Sequence, residues 1–287
     1  MRRLVSVTFF YQSGFAVAIG KTLLLFSYHI PEGMPETVKI GENDLSGFNN
    51  ILFFVPNGSK EHLDEKIFAW SSDYPVHYIV SKDAEGFVPK LLPNLHLVTE
   101  GDTLSIADAE VTVCPSTARG ISFYVQTHGV RVFHAGDLNL WHWREESTPR
   151  EVSLAENEFY ETVEKLPKER FDLCFFPLDP NQGGYYDAGA NHAIMALKPR
   201  VFFPMHFGNR GEIAEDYARR MYTRRTAVCA LTKPRETAQI DLEQNPPSVT
   251  IPGAPRAYGD TGSEKVIMLN TYLEDNPFAD TDLPVDI

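Results

Sequence analysis

The sequence predicts an α/β fold of four layers, an αββα sandwich in which two β-sheets pack face to face with helices outside. Three observations predict it. Two strand-rich halves are each followed by helical patterns, the order expected when helices cover the outer faces of paired sheets. Several short runs are apolar throughout, which marks buried strands. Hydrophobic residues make up 43% and charged residues 23% of the 287 residues, a globular balance, and 19 Phe, 12 Tyr and 3 Trp can fill a sizeable core.

Taken in order, residues 5–10, 15–19 and 22–26 read as a three-stranded meander broken at Ser13-Gly14 and Gly20-Lys21. A polar stretch over 31–49 leads to a buried strand at 51–55, which Pro56, Asn57 and Gly58 end. Leu63, Ile67 and Trp70 then recur at helical spacing, and 76–80 reads as a short strand after Pro75. The second half opens with strands at 103–106, 110–114, 122–126 and 130–133. A helix over 152–166 puts Phe159, Val163 and Leu166 on one face and stops at Pro167. Buried strands at 173–177 and 201–204 flank a helix through Ala190, Ile194 and Leu197, and Ile213, Tyr217 and Met221 mark an amphipathic helix. Pro246, Pro247, Pro252 and Pro255 suggest the end of the compact unit. The expected organisation is a domain over 1–245 and a Pro-rich, acidic extension over 246–287, within which 266–269 can still pair or dock.

The formal net charge of −13 disfavours nucleic-acid phosphates and anionic membrane surfaces as partners. Part of that acidity is local, in Glu274, Asp275, Asp280, Asp282 and Asp286. Three widely spaced cysteines, Cys114, Cys174 and Cys229, give neither a disulfide framework nor zinc-ribbon spacing, so buried thiols in a reducing cytosol are expected. There is no clean signal-peptide core and no apolar run of about twenty residues, so no membrane span is expected and the location is read as cytoplasmic. No feature specifies an oligomer.

Chemistry concentrates in three loops, each directly after a strand. They are Asn57-Gly58-Ser59-Lys60-Glu61-His62, His134-Ala135-Gly136-Asp137-Leu138-Asn139 and Pro204-Met205-His206-Phe207-Gly208. Strand ends of layered folds are where polar side chains converge. Two imidazoles and two carboxylates, from Glu61, His62, Asp137 and His206, make a sensible donor set for a divalent metal. Each residue alone has a plainer role as a turn, cap or hydrogen-bonded structural residue. Trp141 and Trp143 follow the Asp137 loop and are candidates for a pocket wall. Asp179 ends a strand and is a candidate for the same cleft, or a turn residue before Pro180.

These segments resemble the metallo-β-lactamase superfamily over about residues 4–225. Tyr11-Gln12-Ser13-Gly14-Phe15 is similar to the family's first hairpin, and 51–62 to the segment carrying its His-x-His-x-Asp-His motif. Phe133-His134-Ala135-Gly136-Asp137 is similar to the strand ending in the bridging aspartate, and Phe203-Pro204-Met205-His206-Phe207 to the strand ending in the last histidine. The resemblance implies a metallo-β-lactamase-like αββα fold with a two-metal hydrolytic site. It also implies what has changed. Asn57 and Ser59 stand where two first-metal histidines would be, and Ser116 near the third. Ser27 replaces an acidic residue that often braces the metal loop. Glu61, His62, Asp137 and His206 stand at the second position.

Amide and hydroxyl oxygens are poor zinc ligands, so the first position is expected to be empty. The second is expected to hold at most one divalent metal, zinc first, with iron and manganese also compatible. Two functions follow. One is a one-metal hydrolase acting on a small molecule, with Asp137 and Glu61 as its catalytic carboxylates and a metal-activated water. The other is a catalytically inactive pseudoenzyme that keeps no tightly bound metal and acts as a ligand-binding or regulatory protein. A third and lesser reading makes Ser116 a metal-free nucleophile with His206 as its base.

Overall fold

Three pairs of adjacent phenylalanines, Phe53-Phe54, Phe175-Phe176 and Phe202-Phe203, lie in strands. Successive side chains of a strand point to opposite faces, so each pair serves two layers. Between the sheets, Phe54 stacks on Phe26 (4.7 Å) and meets Phe123 (5.1 Å), while Phe175 meets Phe15 (4.7 Å) and stacks on Phe203 (4.9 Å). Outside, Phe53 packs on Trp70, Phe176 on Phe159 and Phe202 on Tyr217.

The computed structural model describes residues 3–143, 146–221 and 225–252, with the backbone of 264–267. Among these, nine strands form the first sheet. β1 (Leu4–Phe9), β2 (Phe15–Ile19) and β3 (Thr22–Phe26) form the meander, and β4 (Asn50–Val55), β5 (Val76–Ser81) and β6 (Leu95–Val98) add in parallel to β3. The second sheet has seven described strands. β7 (Thr103–Ile106), β8 (Ala109–Cys114), β9 (Ser122–Thr127) and β10 (Val130–His134) are antiparallel. β11 (Leu173–Pro177), β12 (Val201–Met205) and β13 (Ala227–Val228) continue from β10 in parallel.

A short turn of helix, α1 (Glu42–Leu45), and two 3-10 segments cover the first sheet. α2 (Pro149–Lys165), α3 (Ala188–Leu197) and α4 (Gly211–Arg220) connect the parallel strands of the second sheet. α2 begins at Pro149, three residues ahead of the start expected at 152. Thr148 accepts from the Glu151 N–H, the Glu151 carboxylate accepts from the Thr148 N–H, and Pro149 occupies the first turn, where its missing N–H costs nothing. This is the αββα architecture expected.

Some elements differ from expectation. The segment behind β4 is a 3-10 helix, Glu65–Ser72, not an α-helix, because the three-residue step from Ile67 to Trp70 suits either turn. β6 escapes sequence reading because it is only four residues long and follows Pro93. β14 (Thr237–Asp241) pairs with β1, β15 (Ser248–Pro252) pairs with β14, and β16 (Glu264–Ile267) pairs with β15, so the sheet continues past residue 246. The acidic residues of 271–287, and residues 268 and 269, lie outside the described residues. Cys114, Cys174 and Cys229 are buried. No helix among the described residues is long and apolar enough to cross a membrane.

Candidate functional site

All four loops that matter leave the C-terminal ends of parallel strands. Asn57 to His62 follow β4, Asp137 follows β10, Asp179 follows β11 and His206 follows β12. In open parallel sheets this is the edge where side chains of different strands meet.

The loops are held tightly enough to fix the side chains. Gly120 has φ +93°, and a Cβ there would lie 2.2 Å from the Pro56 carbonyl oxygen. Gly136 has φ +56°, and a Cβ there would lie 2.6 Å from the Ile121 carbonyl oxygen. The Asn57 loop, the 115–121 loop and the Asp137 loop thus approach closely enough that only glycine fits at these two positions. His134 lies behind them, fully buried and stacked on Phe26. Its Nε2–H donates to the Ser13 carbonyl (2.9 Å), and its Nδ1 accepts from the Gly136 N–H (3.2 Å), a tautomer set by these partners. Burial pushes its pKa down to about 3, against the upward pull of the Ser13 carbonyl, so it is a neutral brace.

Asp137 is the centre. Its Oδ1 accepts from His62 Nε2 at 2.8 Å, and its Oδ2 accepts from the Asn57 side-chain amide at 2.8 Å. Burial alone would raise this carboxyl. The His62 charge and hydrogen bond, His206 and the Asn57 amide outweigh it and hold the pKa at about 2. Asn57 is fixed in turn, since its Oδ1 accepts from the Ser59 N–H (2.9 Å) and its amide also donates to the Arg119 carbonyl (3.2 Å).

His206 stands among three carboxylates. Its Nε2 is 3.3 Å from Glu61 Oε2 and 3.8 Å from Asp137 Oδ1, and its Nδ1 is 3.6 Å from Asp179 Oδ2. Burial pulls its pKa down, but the Glu61 hydrogen bond and the charges of Asp137 and Asp179 raise it above the usual histidine value. Glu61 is lowered chiefly by its hydrogen bond to His206. Trp141 donates its Nε1–H to the Asp137 carbonyl (2.6 Å) and meets the His206 ring edge-on at 5.6 Å. Trp143 stacks on Trp141 at 6.3 Å and is 43% exposed.

The structure therefore brings together Asn57, Glu61, His62, Asp137, Asp179, His206 and Trp141, with Trp143 beyond Trp141. Asp179 also plays the plainer part, accepting from the Asn181 N–H at 2.9 Å. Ser59 contributes its backbone to Asn57. Ser116 is turned to its own loop, where Oγ accepts from the Ala118 N–H (3.2 Å), and no hydrogen bond joins it to His206 among the described residues. The nucleophile–base pair of Ser116 and His206 is thus not formed. Ser27 is buried beneath the loops, at φ +51°.

Sequence reading missed Gln12 as a positioning residue. At φ +53°, its carbonyl accepts from the His206 N–H (3.1 Å) and its side-chain oxygen from the Gly208 N–H (2.7 Å), which fixes His206 in its left-handed conformation at φ +64°. The available signal was a long polar side chain in a tight turn between two apolar strands.

The donor set does not fit a pair of metals. Asn57 directs its amide N–H at Asp137, and its oxygen and the Ser116 hydroxyl are spent on neighbouring N–H groups. Nor are three or more His, Cys, Asp or Glu side chains gathered as a metal cage among the described residues. Glu61, His206, Asp137 and His62 instead form a chain of polar contacts. His62 is fully buried and its Nδ1 has no hydrogen-bond partner.

The sequence matches no protein-family model and no curated protein. Solved structures do match. Igni18, described as a novel metallo hydrolase from the hyperthermophilic archaeon Ignicoccus hospitalis, aligns with a TM-score of 0.58 at 16% identity, over 83% of this chain and 99% of that one. The metallo-β-lactamase fold protein YhfI from Bacillus subtilis aligns with a TM-score of 0.52 at 11% identity, again over 83% and 99%. CmlA, a diiron β-hydroxylase from Streptomyces venezuelae, aligns with a TM-score of 0.53 at 13% identity, over 83% of this chain and 54% of that one. At such identities the likeness is one of fold, and the fold is that of the metallo-β-lactamase-type proteins.

Proposed function

We propose that this chain is a metallo-β-lactamase-fold protein in which hydrogen bonds replace the metal pair, and that it binds a small molecule without two-metal hydrolysis. One observation carries the reading. Both oxygens of Asp137, the carboxylate matched to the bridging position, accept from protein N–H donors, Asn57 and His62, at 2.8 Å each. An oxygen held by a charge-assisted hydrogen bond of that length is already neutralised and positioned. The ligand would meet the carboxylates of Glu61 and Asp137, the His206 ring and the exposed face of Trp143. A small molecule with N–H or O–H donors and a flat or apolar part suits those groups.

The one-metal hydrolase is the second reading. It is favoured by the approach of His206 Nε2 to Glu61 Oε2 (3.3 Å) and Asp137 Oδ1 (3.8 Å), since these residues with His62 are the donors a single zinc, iron or manganese would use. Such an ion would supply a water of lowered pKa.

A hydrolysis screen separates the two. The protein, incubated with zinc, iron or manganese, is offered phosphoester and lactone substrates. The proposal expects turnover at background. Metal-dependent turnover that disappears in His206→Ala would replace it with the one-metal reading.

A further inference from the structure

Far from these loops, at the edge of the first sheet, His77 and His96 face one another. β6 is an edge strand of four residues whose only described partner strand is β5. By strand alternation His77 lies on the face of Ile79, and His96 on the face of Val98, both residues of the core between the sheets. His77 Nδ1 lies 3.4 Å from His96 Nε2, and the rings are stacked with centroids 5.7 Å apart and planes 26° apart.

That separation is long for a hydrogen bond but suits shared coordination. Two imidazole nitrogens bound to one tetrahedral ion at about 2.0–2.1 Å lie about 3.3 Å apart. We propose that His77 and His96 form a surface site for a borderline divalent transition-metal ion, such as zinc or nickel, with water completing the coordination. Imidazole pairs suit these ions. Both rings are half-buried, so the pair is partly ordered before an ion arrives. An arriving ion would take the place of the long contact between the two ring nitrogens. An ion held here clips the short edge strand to its neighbour.

The site does not depend on the reading of the Asp137 loops, and its test is built to keep the two apart. The metal-free chain is titrated calorimetrically with Zn2+ and with Ni2+, beside His206→Ala, His77→Gln and His96→Gln. The expected result is one ion per chain in the wild type and in His206→Ala, with affinity at least tenfold weaker in His77→Gln and in His96→Gln. Near saturation the melting temperature rises by about 5 °C, as for any ligand that binds only the folded state. A variant-free readout uses histidine ring resonances of the unaltered chain, where Zn2+ should move two imidazoles together. The proposal is overturned by no uptake in the wild type, by unchanged affinity in either glutamine variant, or by resonance shifts confined to other histidines.

Discussion

At the residue scale, Asn57 decides what kind of site this is. An amide cannot ligate zinc usefully, but it can donate to Asp137 while its oxygen is held by the Ser59 N–H. Asn57→Ala removes a donor from a mostly buried carboxylate. It is expected to destabilise the fold by about 1.5–3 kcal/mol in chemical denaturation, the usual range for a hydrogen bond to a charged group. It should also raise the Asp137 pKa. The pH dependence has two parts. Asp137 is depressed to about 2, so its contribution is present above about pH 4 and is lost as pH falls towards about 2, on the order of 2 kcal/mol. His206 is raised, so its contribution is full below about pH 6.5 and is lost as pH rises through the folded value. Titration of the His206 ring by NMR should give a pKa above 6.5 that drops in Glu61→Gln; a value at or below 6.5 in the wild type would contradict the assignment.

At the element scale, the site depends on how loops are pressed together at the strand ends. Gly120 and Gly136 matter because backbone from another loop occupies the space of a side chain at each. Gly120→Ala combines a positive φ with a 2.2 Å approach to Pro56, so it should cost well over about 1 kcal/mol, seen as a lower midpoint in denaturant. Much of this level was legible in sequence. The apolar runs of β4, β11 and β12 announce buried parallel strands, whereas the capping signal in Thr148-Pro149-x-Glu151, which starts α2 ahead of the 152 expected, was missed. What was not legible is short or set by distant partners. β6 has four residues, and the role of Gln12 exists only because His206 folds against it from far along the chain.

At the scale of the whole molecule, the layer order could be read from sequence because strand runs apolar throughout require cover on both faces and each strand-rich half is followed by helical patterns that supply it. The loops bearing Asn57, Asp137 and His206 could be assigned to one rim because each follows a buried strand. Their mutual geometry could not be read. Nothing local in Asn57-Gly58-Ser59 tells whether the amide points at a ligand, at solvent or at Asp137, because the answer depends on Gly120 and Gly136 bringing three loops into contact. The continuation of the first sheet through β15 and β16 was obscured by the prolines around it, which read as the end of a domain although antiparallel strands tolerate proline at their margins.

The most direct measurement is the metal content of protein expressed in zinc- and iron-supplemented medium, beside His62→Ala, His206→Ala and His77→Gln. If hydrogen bonds have replaced the metal pair, no stoichiometric metal depends on His62 or His206, and any zinc present is lost only in His77→Gln. About one metal per chain, lost in both His62→Ala and His206→Ala but retained in His77→Gln, would contradict the account and restore Glu61, His62, Asp137 and His206 as a working metal site.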